Sequence, residues 1–85
     1  MSSPVLRKIR NANVSPTEIA RLIEKHVGAN SNEAHCTQAL AAINRSRSPK
    51  VLAIAQMTSL LMNNDGPCEK LRWTVLYLRS EAGAG

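Results

Sequence analysis

Ser15, Pro16 and Glu18 fix where a helix begins, and this start constrains the fold more than any other local feature of the chain. A serine hydroxyl can accept a hydrogen bond from the third amide of a helix, and a glutamate three residues on can reach back to the serine amide. Proline fits the first helical position, where its missing N–H would have no partner. The residues that follow repeat at helical spacing: Ile19, Leu22, Ile23 and Val27 form one apolar stripe, Arg21, Glu24 and Lys25 point outward, and Gly28 supplies a stop. An amphipathic helix with one buried face therefore starts at Pro16.

The same reasoning places four more helices. Val5 to about Ala12 reads as a short first helix with Arg7, Lys8 and Arg10 exposed. Asn30 with Glu33 repeats the capping pattern and predicts a third helix from about Ser31 to Arg45, burying Cys36, Leu40 and Ile43. Ser48 and Pro49 cap and open a fourth, in which Val51, Leu52, Ile54, Ala55, Met57, Leu60, Leu61 and Met62 leave almost no polar side. A helix apolar nearly all round is expected at the centre of the fold. Asn63, Asn64, Asp65 and Gly66 break the chain, and Pro67 opens a fifth helix to about Ser80. That helix carries one stripe of Cys68, Leu71, Val75 and Leu78 and a second of Trp73, Leu76 and Tyr77. Residues 1–4 are expected to be a flexible start, 5–80 a single helical domain, and 81–85 a disordered tail of Gly and Ala.

Composition supports the helical reading. Phe is absent and Trp73 and Tyr77 are the only aromatics, so the core is aliphatic, and the Ala-rich segments lack the alternation a strand needs. With 85 residues there is room for one core, because chains of this size bury about 60% of their unfolded surface. The fold class expected is all-α, a compact bundle of about five short helices with a helix-turn-helix arrangement among them. No run of about 18 apolar residues and no signal-like N-terminus is present, so no membrane partner is expected. Cys36 and Cys68 are too few for a disulfide framework, which points to a reducing, cytoplasmic setting.

Nothing in the chain reads as an enzyme. Paired carboxylates, a glycine-rich phosphate loop and a nucleophile beside a base are all missing, so neither catalytic residues nor a cofactor is expected. His26, His35, Cys36 and Cys68 are the residues that could bind a metal, but no pair has the two-to-four-residue spacing of a ligand knuckle, and no metal site is expected. The net charge is +5, with seven arginines and four lysines against six acids, a balance that attracts polyanions.

A basic turn, Asn44, Arg45, Ser46, Arg47, Ser48, Pro49, Lys50, lies between the third and fourth helices. Together with Leu6, Arg7, Lys8, Ile9 and Arg10, then Val14 to Ala20, and then Thr37 to Arg45, this order resembles the Cro and phage-repressor helix-turn-helix family from Leu6 to Met62. The resemblance implies a phage-derived transcriptional regulator whose third helix enters the major groove of double-stranded DNA. Gln38 would then bond an adenine edge, Thr37 would contact a phosphate or a thymine methyl, and Asn44, Arg45, Arg47 and Lys50 would hold the backbone. The chain departs from the family in one respect: the stretch from Glu24 to Cys36 is much longer than the family's tight turn.

A reading of another class starts from the second stripe of the fifth helix. Arg72, Trp73, Leu76 and Tyr77 supply the residue types that anchor protein interfaces within two turns, which suits a homodimer or a protein-interaction module that inhibits a host protein. Ser48 to Gly66 is similar to one helix of the VHS and ENTH adaptor solenoids, although the chain is too short for such a domain.

Overall fold

The computed structural model describes residues 4–11, 13–28 and 32–84, the last three as backbone only. It contains five helices in chain order, α1 (Pro4–Ile9), α2 (Pro16–Val27), α3 (Glu33–Ile43), α4 (Pro49–Leu61) and α5 (Pro67–Ala84), and no strand among the described residues. The expected all-α bundle is therefore the observed fold.

Local chemistry sets most of the boundaries. Ser15 Oγ accepts from the Glu18 amide at 3.3 Å and Ser48 Oγ accepts from the Val51 amide at 3.4 Å, each with proline in the first helical turn. Gly28 ends α2 at φ +72°, a left-handed conformation that glycine adopts without a Cβ penalty, and its amide donates to the Glu24 carbonyl.

The third helix differs from expectation at both ends. Its cap is Asn32, whose Oδ1 accepts from the His35 amide at 2.8 Å, and it begins at Glu33. The expected cap and start, Asn30 and Ser31, lie outside the described residues. It ends at Ile43 and not at Arg45, because Asn44 Nδ2 donates back to the Leu40 carbonyl and the Arg45 and Ser46 amides turn to the carbonyls of Ala42 and Ile43. The first helix likewise stops at Ile9, closed by short bonds from the Arg10 and Asn11 amides to Arg7 and Lys8. At the other terminus, where a disordered tail was expected from residue 81, α5 continues through Ala84. Pro4 opens α1, and residues 1–3 and 85 lie outside the described residues.

Helix α4 does not take the central place that its hydropathy predicts; α3 packs against each of the other four helices. Helix α5 packs against α2, α3 and α4, and it buries Leu71, Thr74 and Leu78. Helix α4 packs against α3 and α5 and buries only the stripe Val51, Ile54, Ala55 and Thr58, leaving Leu60 81% and Leu61 61% exposed. A five-helix chain offers no further layer to cover the rest of its apolar circumference. Thr58 and Thr74 lie in the core with their hydroxyls donating to the carbonyls of Ile54 and Lys70, which satisfies the buried polar atoms within each helix. Ile9, Ile19, Ile23, Cys36, Ile43 and Val51 complete the most deeply buried set.

Candidate nucleic-acid interface

Helix α1 packs on α2 and α3 through the buried side chain of Ile9. That contact brings the end of α1 beside the turn between α3 and α4, and the Arg47 amide donates to the Arg10 carbonyl at 3.1 Å. The turn is shaped by Ser46, which is buried and whose Oγ accepts from the Ser48 amide at 3.1 Å. With Ser46 pointing inward, its neighbours Arg45 and Arg47 are both exposed. On the opposing segment Asn11 Oδ1 accepts from the Asn13 amide at 2.9 Å, a local bond that folds the chain back toward α2.

The result is an open recess of about 540 Å³ lined by Arg7, Arg10, Asn11, Asn13, Arg45 and Arg47. No carboxylate is among the lining residues, so four guanidinium groups and two amides face one space without a neutralising partner in the wall. A second recess of about 270 Å³ adjoins it along α3, lined by Leu6, Arg10, Gln38, Ala41, Ala42 and Arg45. Arg10 and Arg45 belong to both, so the two form one continuous surface with a cationic end and an end carrying the Gln38 amide.

The residues singled out from sequence divide unequally around this surface. Arg45 and Arg47 line the cationic recess and Gln38 lines its neighbour. Thr37 is exposed, but its hydroxyl donates to the Glu33 carbonyl, and the Asn44 amide caps α3. Lys50 pairs with Glu81 at 3.4 Å and lines neither recess. Arg7 and Arg10 were recognised as exposed bases but not as part of a site with the turn, and Asn11 and Asn13 were missed. Their only trace in the sequence is an Asn-x-Asn pattern after a short basic helix, which signals a turn and not a ligand site. Gln38 is oriented from α2, where His26 Nε2 donates to its Oε1 at 3.1 Å.

The second set of sequence candidates is split around the circumference of α5. Arg72 and Leu76 line a groove of about 570 Å³ between α2 and α5, whose walls also include Ile23, Val27 and Val75, with Arg79 and Glu24 ion-paired there. Trp73 and Tyr77 do not line it; their rings lie 6.3 Å apart, with Trp73 Nε1 donating to Glu69 Oε1 and Tyr77 half-buried against the core. The exposed large apolar side chains are Met57, Leu60, Leu61, Trp73 and Leu76, all on α4 and α5. The apolar surface is thus wider than the Trp, Leu and Tyr stripe read from sequence.

The four possible metal ligands form two pairs: His26 and His35 meet edge-on at 5.5 Å, and Cys36 and Cys68 line the α2–α5 groove. No group of three or more His, Cys, Asp or Glu suited to a metal ion occurs among the described residues. No described helix is long and apolar enough to cross a membrane. Comparison with protein-family models, with curated proteins and with solved structures gives no match to this chain.

Proposed function

We propose that this protein is a small regulator that binds double-stranded DNA, gripping the phosphate backbone in the cationic recess and presenting Gln38 to base edges from the adjoining surface of α3. The observation that carries the reading is the meeting of Arg7 and Arg10 with Arg45 and Arg47, two pairs of like charge from distant parts of the chain, in a wall without acids. Like charges repel, and a fold that gathers four of them around one space is stabilised when an anion occupies it. Guanidinium groups pair with phosphate oxygens in a bidentate fashion, and the flanking asparagine amides add neutral donors. Backbone contacts of this kind position a protein, while a side-chain amide such as Gln38 can discriminate adenine. The helix-turn-helix assignment within this reading places α2 and α3 as the paired helices, joined by residues 28–32.

The test is fluorescence anisotropy with labelled duplexes drawn from a random pool, at low and moderate salt. The wild type should bind, and affinity should fall steeply as salt rises, because each neutralised phosphate contributes a slope of about 0.9 in log affinity against log salt. Arg45→Glu combined with Arg47→Glu should abolish binding, whereas Gln38→Ala should retain binding and lose sequence preference. Absence of wild-type binding at low salt would overturn the proposal.

A second reading is favoured by the exposure of Met57, Leu60, Leu61, Trp73 and Leu76 on two helices. Exposed apolar surface can mark interaction sites, and here it suits a protein partner or a second copy of the chain. Association through these side chains would be nearly indifferent to salt, would survive the arginine reversals and would be lost in Trp73→Ala with Leu76→Ser, which separates the two readings in one set of variants.

A further inference from the structure

The two cysteines come from helices far apart in sequence, Cys36 from the first turn of α3 and Cys68 from the first turn of α5, and both line the groove between α2 and α5. Helices α3 and α5 pack directly on one another, and the Cys68 thiol is near enough to Cys36 to help push that thiol up. They differ sharply in access: Cys36 is 1% exposed, and Cys68 is exposed at the surface. Neither is used by the cationic recess, and neither is in a disulfide.

We propose that Cys36 and Cys68 form a reversible dithiol–disulfide site whose oxidant is a low-molecular-weight disulfide of the glutathione class. Accessibility sets the order of events. The Cys68 thiolate attacks one sulfur of the small disulfide; that S–S bond breaks, one small thiol leaves, and a mixed disulfide forms at Cys68. Cys36 then loses its proton to water and its sulfur attacks Sγ of Cys68, releasing the second small thiol and closing the Cys36–Cys68 bond. Two protein thiols are oxidised and one external disulfide is reduced to two thiols, so electrons and atoms balance. The second step does not require a bulky reagent to enter the core, which is why a buried thiol can take part. Burial, the Cys68 thiol and the Glu33 carboxylate all push the Cys36 thiol up, to about 11, and this keeps Cys36 from reacting first. The bond would fasten α3 to α5 and remove the Cys68 thiol from the groove lining.

The experiment uses the reduced, folded full chain exposed to oxidised glutathione, quenched in acid and weighed by mass spectrometry. The expected product is a monomer that has lost two hydrogens and retains no glutathione. Its melting temperature should rise by about 10 °C or more, since a crosslink across a loop of this length restrains the unfolded chain. Cys36→Ser should stop with one glutathione on Cys68, and Cys68→Ser should not react. The proposal is overturned if the wild type ends as the mixed disulfide, if it forms disulfide-linked dimers, or if its melting temperature is unchanged or lower after oxidation. Because the wild-type product and its melting temperature decide the matter alone, a variant that fails to fold does not protect the proposal.

Discussion

The Arg47 amide donates to the Arg10 carbonyl at 3.1 Å, and through this one backbone bond the turn after α3 is tied to the end of α1. The cationic recess exists only while these two segments stay together. Packing of Ile9 on one side and the inward-turned Ser46 on the other hold them there, so the shape of the recess depends on apolar contacts that carry no charge.

Ile9 is therefore the first residue to remove. It is fully buried, and Ile9→Ala should destabilise the fold by about 2–5 kcal/mol, the loss expected for a large core side chain and the cavity it leaves. Leu60→Gln, at a position 81% exposed, should change stability by no more than about 0.5 kcal/mol. Urea unfolding followed by circular dichroism measures both, and equal losses at the two positions would contradict the packing described here.

The charge geometry predicts unequal effects from substitutions that alter net charge identically. Arg7→Gln or Arg47→Gln should each reduce the salt slope of DNA binding by about 1. Lys50→Gln should leave the slope nearly unchanged, because Lys50 faces Glu81 and lies outside the recess. Three equal reductions would mean that net charge alone governs binding.

Helix capping offers a test of where α3 begins. Asn32→Ala removes the acceptor for the His35 amide and should cost about 1 kcal/mol, comparable to Ser15→Ala at the start of α2. Asn32→Asp should retain most of that stability, since a carboxylate oxygen also accepts from the third amide. Thermal melts of the three variants check the order.

The raised Cys36 thiol makes stability depend on pH in the alkaline range. In the unfolded chain Cys36 returns to the ordinary value of 9.0, while in the folded chain it stays protonated to about 11. Between these values the folded state binds more protons, so raising the pH favours unfolding; the contribution is intact below pH 9 and lost progressively up to pH 11. The slope from this group should approach about 1.4 kcal/mol per pH unit in that window, and Cys36→Ala should remove it. Urea midpoints measured from pH 8 to 11 for both proteins provide the comparison.

Which properties were legible in the sequence follows from the range of the interactions behind them. Ser15, Pro16 and Gly28 mark the ends of α2, and Ser48 with Pro49 marks the start of α4, because a cap joins residues three apart and needs nothing from the rest of the chain. The all-α class was equally visible in the spacing of the apolar residues. The place of α4 was not, since its apolar circumference states what could be buried and not what has a neighbour to bury it. Only packing decided that α4 buries a single stripe and that Leu60 and Leu61 face outward. The candidate site divides in the same way. Arg45 and Arg47 stood out as a local basic turn, but their meeting with Arg7 and Arg10 depends on the docking of α1 against α3, a contact between segments about 35 residues apart that no local pattern encodes. By itself, then, the sequence determined the helices, both ends of α2, the starts of α4 and α5 and a strong positive charge; tertiary structure decided which charges share one space, because that is set by long-range burial of side chains such as Ile9 and not by the charged residues themselves.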